Sequence, residues 1–247
     1  MAEPVSKGIE GNPSSEAAEA AAASSVVVSS RRAAIRAYRG EIVFASALSA
    51  YAILAVLAYH YDYFGWDVSL GRAIQSVDLP GFAIMMRSIS VLGNGWVPVL
   101  IVCAAGLGLA VSRLTAEALI CVVGAATSSG MNRLWKLVIG RPRPSEPLVQ
   151  VIIPFPHESF PSGHVVFFVV FFGFVFFLTY VLLRRGVLRR SLLVLSGALI
   201  VLIGVSRVYL GAHWPSDVFG AYLAGGIWLM LMIEAYRRLK SRQTKPG

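Results

Sequence analysis

Residues 165–183 read VVFFVVFFGFVFFLTYVLL, nineteen positions without a charged side chain. Phe and Val at this density would suit a buried strand, but the run is too long for one. A helix of that length, apolar on every side, needs a bilayer as its solvent. Five further stretches are of comparable kind, at 42–59, 96–112, 114–138, 191–208 and 216–235. The expectation is an all-α, polytopic membrane protein built as a six-transmembrane-helix bundle. Composition agrees, with 56% hydrophobic and 14% charged residues, where soluble chains carry about 25% charged. Residues 82–93, FAIMMRSISVLG, are shorter and interrupted by Arg87; they are expected to lie on the membrane surface or to extend the second helix. Gly93, Asn94 and Gly95 mark a break.

The net charge of +9 is distributed by topology. Arg31, Arg32, Arg36 and Arg39 precede the first stretch, Arg113 lies between the second and third, and Arg184, Arg185, Arg189 and Arg190 between the fourth and fifth. Arg237, Arg238, Lys240, Arg242 and Lys245 follow the sixth. Six crossings put all of these on one face, which is then the cytoplasm. Both termini are expected there, in a plasma-membrane protein, and the basic excess needs no nucleic acid partner. Residues 1–30 are rich in Ala, Ser and Glu, and 1–35 reads as a disordered cytoplasmic tail. The membrane domain is expected over 36–240, with a basic tail at 241–247. Cys103 and Cys121 lie inside apolar stretches and read as small buried side chains rather than a disulfide.

One loop breaks the charge rule. Between the third and fourth stretches, opposite the cytoplasmic face, stand Lys136, Arg141 and Arg143. A bound anion would account for them. Three clusters converge on that face: Lys136 and Arg143 after the third stretch, Pro161-Ser162-Gly163-His164 opening the fourth, and Ser206-Arg207 with His213 and Asp217 joining the fifth to the sixth. Guanidinium groups match two phosphate oxygens at a time. Ser162 and Gly163, at a helix start, offer free backbone N–H groups to an anion. Lys136, Arg143, Ser162, Gly163 and Arg207 are the candidate phosphate-binding residues. Pro215 suits a first helical position, which puts Asp217 in the first turn. There its carboxylate would hold a ring N–H of His213 and leave the other nitrogen free to attack phosphorus. His164 would protonate the leaving oxygen. No carboxylate cluster suggests a metal, and no cofactor is expected.

Other residues have plainer readings. Arg133 and Arg141 read as interfacial anchors, and His60 and His157 as structural, with substrate contact open to His157. Glu117 is expected to pair with Arg113 four residues earlier. Trp66, Trp96, Trp135 and Trp214 read as interfacial aromatics, with site-shaping open to Trp214. Gly225-Gly226 reads as a close helix contact.

The three clusters resemble the motifs of the type 2 phosphatidic acid phosphatase family, membrane lipid phosphatases that share a superfamily with vanadium haloperoxidases. Lys, six residues, then Arg-Pro stands here as Lys136 to Arg143-Pro144; Pro-Ser-Gly-His as Pro161 to His164; and Ser-Arg, five residues, His, three residues, Asp as Ser206-Arg207, His213 and Asp217. The resemblance spans about 42 to 236 and every motif position is filled. It implies metal-independent hydrolysis of a lipid phosphate or pyrophosphate, with His213 as nucleophile, Asp217 orienting it and His164 as acid. Undecaprenyl pyrophosphate, phosphatidic acid and phosphatidylglycerol phosphate are the substrate candidates. The alternatives are a phosphotransferase with a lipid or alcohol acceptor, and a transporter or structural membrane protein with an inert site.

Overall fold

The computed structural model describes residues 38–156 and 158–243. The tail assigned to 1–35, Arg31 and Arg32 included, lies outside the described residues, as do Arg36, His157 and Lys245. The chain divides into two compact units, Met1–Ser46 and Ala47–Gly247. Of the first, only residues 38–46, the opening turns of a helix, are described; the site described below lies in the second.

All regular structure among the described residues is helical. The helices are α1 (Tyr38–His60), α2 (Gly65–Gln75), α3 (Phe82–Val91), α4 (Val97–Val111), α5 (Thr115–Ile139), α6 (Gly163–Leu182), α7 (Val187–Tyr209) and α8 (Pro215–Gln243). Each of the six expected stretches is a helix. Four of them, α1, α6, α7 and α8, are long and apolar enough to cross a membrane. The other two fall short for different reasons. α4 has 15 residues, roughly 22 Å at 1.5 Å per residue, against a hydrocarbon core of about 30 Å. α5 has 25 residues but includes Glu117, Ser128, Asn132, Arg133 and Lys136.

α6 is the centre of the packing. Most of its Phe and Val side chains are buried, and α5, α7 and α8 surround it. α8 approaches closely because Gly225 lacks a side chain: a Cβ there would stand 2.8 Å from Cβ of Val169. Gly226 faces open space, so the contact belongs to Gly225 alone. Apolar side chains on outer faces, such as Ile53, Leu107, Val194 and Val201, are exposed, as a surface solvated by lipid requires.

Two helices were not legible as such. The acidic loop after the first stretch contains α2, whose first turn carries Asp67 accepting the Phe64 N–H at 3.0 Å. Residues 82–91 form α3, a separate helix packed on α7 rather than an extension of α4. The break after it is real, with Gly95 at φ +54. Ser206 Oγ donates to the Met86 carbonyl at 2.6 Å and ties α7 to α3.

The Glu117–Arg113 pair does not form. Glu117 is buried and accepts from Lys240 Nζ at 2.9 Å and the Tyr236 hydroxyl at 3.0 Å, because its face of α5 meets the far end of α8. Arg113 sits in the preceding turn with φ +60. Both cysteines are free; Cys121 is buried, whereas Cys103 is exposed on α4.

Candidate active site

α5 ends at Gly140, whose φ of +63 turns the chain out of the helix while its N–H caps the Lys136 carbonyl at 2.9 Å. That leaves Lys136 in the last turn and starts the loop carrying Arg143. Ser162 is the N-cap of α6, so Gly163 and His164 are its first two residues. α7 ends two residues after Arg207, and Pro215 opens α8 with Asp217 in its first turn.

These ends meet. Arg143 Nη1 lies 3.2 Å from His213 Nε2 and donates to the Ala212 carbonyl at 2.5 Å. The Ser162 N–H reaches the Asp217 carbonyl at 3.3 Å. Lys136 Nζ donates to the Glu158 carbonyl and to the Ser159 carbonyl. The guanidinium groups of Arg143 and Arg207 stand over the Phe155 ring, at 5.5 and 4.4 Å from its centroid, and the His164 ring meets it in a T-shaped contact at 6.1 Å. Phe155, in the α5–α6 loop, is thus the shared neighbour of three motif residues. His164 Nε2 is 2.6 Å from Asn94 Oδ1, and a Cβ on Gly93 would collide with the His164 ring. The Gly93–Asn94 break therefore holds His164 in place.

The anion-binding groups are incompletely occupied by the protein. Arg207 is fully buried and donates through Nη1 to Ser90 Oγ at 2.6 Å, while its Nε and Nη2 have no partner among the described residues. Ser162 Oγ is buried and likewise unpartnered. A cleft of about 270 Å³ is lined by Lys136, Arg143, Arg133, Leu137 and Glu158. The larger hollow of about 780 Å³ between Arg72, Gln75 and residues 146–152 holds none of these side chains.

Asp217 does not touch His213 directly. Its Oδ2 is 3.7 Å from His213 Nδ1, beyond hydrogen-bond reach. Ser159 stands between them, its Oγ 3.3 Å from Nδ1 and 2.5 Å from Oδ2. The directions follow from donor chemistry. A guanidinium only donates, so His213 Nε2 accepts from Arg143 and the ring proton is on Nδ1. Nδ1–H then donates to Ser159 Oγ, and the Ser159 hydroxyl donates to Asp217. The lone pair on Nε2 is the one that faces the cationic groups.

Asp217 is fixed on its other side by a residue read from sequence as an interfacial anchor. Arg141 is fully buried, with Nη1 2.7 Å from Asp217 Oδ1 and Nη2 3.1 Å from Asp67 Oδ2. Ser216 bridges Arg141 and Asp67, its Oγ accepting from Arg141 at 2.7 Å and donating to Asp67 at 2.7 Å. The Trp214 N–H completes Asp217 Oδ2 at 2.9 Å. Trp214 is itself buried, its indole N–H on the Pro142 carbonyl at 3.2 Å, so the interfacial reading fails for it and the site-shaping one describes its place. Arg133, by contrast, lines the mouth of the cleft. One cation and two acids, all buried, are tolerated together because each is paired and hydrogen-bonded.

The electrostatics follow from burial. His213 is held well below the ordinary imidazole range, first by burial and then by Arg143, Arg207 and Lys136. Burial also lowers Arg143, against the opposing pull of Asp217 and Glu158. The site is therefore a neutral imidazole facing a cationic, partly unsatisfied pocket, a combination suited to attack on a phosphate ester. Among the described residues no three of His, Cys, Asp and Glu cluster as metal ligands would.

Comparison with known proteins bears on this arrangement. Residues 117–241, which contain all three motifs, match the PAP2 superfamily. The chain is 27% identical over 174 residues to phosphatidylglycerophosphatase B of Bacillus subtilis, covering 69% of this chain and 82% of that one. It is 32% identical over 155 residues to decaprenylphosphoryl-5-phosphoribose phosphatase of Mycobacterium tuberculosis, covering 62% and 80%. Its fold is similar to the crystal structure of the transmembrane PAP2-type phosphatidylglycerolphosphate phosphatase of Bacillus subtilis, with a TM-score of 0.68 at 24% identity over 79% of this chain and 96% of that one. With the motifs inside the matched region and phosphatases among its relatives, the chain belongs to the PAP2 superfamily and is an integral membrane phosphatase.

Proposed function

We propose that the chain hydrolyses lipid phosphates or pyrophosphates without a metal, through a phosphohistidine at His213. The observation that carries this is the buried Arg207, with two donor nitrogens unpartnered, beside an unpartnered Ser162 hydroxyl and a neutral imidazole. Buried donors of this kind ask for a partner, and a phosphate dianion supplies several acceptors at once. Lys136, Arg143, Arg207 and the Ser162–Gly163 helix start hold the equatorial oxygens, where charge builds in the transition state.

His213 Nε2 attacks phosphorus and the bond to the leaving oxygen breaks. His164 donates its proton to that oxygen. The imidazolium formed on His213 is stabilised through Ser159 by Asp217, which Arg141 holds in place. Water then attacks phosphorus, His164 takes its proton, the N–P bond breaks and inorganic phosphate leaves.

Lipid is the substrate class that best suits a site at the ends of membrane-embedded helices, and both named relatives act on phosphorylated lipids. Undecaprenyl pyrophosphate, phosphatidic acid and phosphatidylglycerol phosphate remain the candidates. All six long helices are taken as crossings, α4 and α5 being completed by their neighbours and flanking residues. Residues 36–240 then form the catalytic domain, with cytoplasmic tails at 1–35 and 241–247, and the basic cytoplasmic loops put the site on the extracytoplasmic face of the plasma membrane. The test is phosphate release by purified protein from each candidate lipid in excess EDTA, with His213→Ala and His164→Ala as controls. Strict dependence on added metal, or full activity in His213→Ala, refutes the reading.

A further inference from the structure

Beside the anion pocket a second cavity, of about 180 Å³, runs between α1, α5 and α8. Pro161, next to the Ser162–Gly163 helix start, is among the residues that line it. Ala224, Trp228 and Leu231 carry it down α8, about 10 Å of helix at 1.5 Å per residue. Its wall is apolar except near the pocket. There Tyr51 is only 4% exposed, and its hydroxyl has no partner among the described residues. Asn132 Oδ1 is buried and unpartnered as well. Asn132 also abuts the anion pocket, since a Cβ on Gly163 would stand 3.0 Å from its Nδ2. Ser128, one turn deeper, already donates to the Ala125 carbonyl at 2.9 Å.

We propose that this groove binds the substrate's hydrocarbon chain and the polar linkage joining it to the phosphate. The inference rests on the lipid phosphatase reading and adds to it where the lipid lies. The chain occupies the α8 wall, where no free polar group opposes it. The Tyr51 hydroxyl and the Asn132 carboxamide bond the oxygen or hydroxyl groups of the linkage, which arrive at the depth where both are orphaned. An extended slot of this volume suits one chain at a time. Gly163 brings Asn132 close enough to read the group directly attached to the bound phosphate.

The test compares two probes on wild type, Ala224→Phe and Tyr51→Phe: dioleoyl phosphatidic acid in mixed micelles, and p-nitrophenyl phosphate, which has no chain. Ala224→Phe fills the groove and should cut kcat/KM for the lipid tenfold or more, mainly through KM, leaving p-nitrophenyl phosphate within twofold. Tyr51→Phe should raise KM for the lipid a few-fold with the same selectivity. Parallel losses on both probes, or no loss on the lipid, overturn the groove while leaving the phosphatase reading intact. Wild type that cleaves p-nitrophenyl phosphate but no lipid overturns the lipid reading and the groove with it. A lipid phosphate carrying a diazirine on its chain gives a check independent of the variants' folding. Labelling of α1, α5 and α8 peptides, displaced by unlabelled lipid phosphate, supports the proposal; label confined to other helices, or not displaced, contradicts it.

Discussion

At the scale of single residues, the least expected feature is Ser159, which replaces a direct His213–Asp217 contact with a two-bond relay. Ser159→Ala should leave His213 unanchored and lower kcat about 10- to 100-fold, the worth of a hydrogen bond to a charged group at about 1.5–3 kcal/mol. Ser159→Thr should recover much of that, and steady-state kinetics on one substrate decides it; unchanged kcat in Ser159→Ala removes the relay from the account. The depressed basicity of His213 sets the pH behaviour. With its folded value below 6.5, the imidazole stays neutral as pH falls through the ordinary histidine range, and loses its lone pair only at lower pH. The acid limb of kcat/KM due to His213 should therefore lie below 6.5. Arg143→Gln removes a neighbouring positive charge, so it should move that limb to higher pH. Comparing both enzymes on one substrate cancels the substrate's own ionisation, and a limb that stays fixed contradicts the electrostatic argument. The motif residues were visible in the sequence because charge is scarce there, and a Lys or His at the end of an apolar run stands out. Ser159 was not, since a serine in a loop carries no such contrast. Phe155 and Asn94 were missed for the same reason.

At the scale of elements, the long helices were legible because a bilayer demands unbroken apolar runs, and α6 states that demand most plainly. α2 escaped notice, and the α3 stretch read only as a surface segment or an extension of the second helix, because each is only about three turns long and carries polar residues. Their importance is tertiary. α2 brings Asp67 to Arg141, 74 positions away in sequence, a pairing that no local pattern encodes. That is why Arg141 read as an anchor when it is the buried link between α2, the α5–α6 loop and α8. Arg141→Met should strand Asp67 and Asp217 as uncompensated acids and cost about 3–5 kcal/mol. The expected readout is a clear drop in thermal midpoint in detergent, partly restored by adding Asp67→Asn. A midpoint equal to wild type in Arg141→Met would mean that the network does not hold the helices. At the α6–α8 contact, Gly225→Leu should separate the helices or block folding, whereas Gly226→Ala, facing open space, should be nearly silent. Thermal stability of the two variants checks this directly.

At the scale of the whole molecule, apolar helices act as rigid supports whose ends fix a small polar site. The cationic groups come from α5, the α5–α6 loop and α7, the proposed acid from α6, and the proposed nucleophile from the turn into α8. Charge distribution along the chain implies that this site faces away from the basic loops. Single-cysteine labelling with a membrane-impermeant reagent should thus modify a cysteine placed at Glu158 in intact cells and spare one placed at Arg184; the reverse pattern inverts the topology. The account's central claim is that phosphorus becomes bonded to His213. Rapid acid-free quenching of the enzyme with a lipid ³²P-phosphate in excess EDTA should trap label on protein that is stable to alkali, labile to acid and mapped to His213, with more of it in His164→Ala if hydrolysis of the intermediate slows. Phosphate release at full rate with no label on His213 at any time point would contradict it.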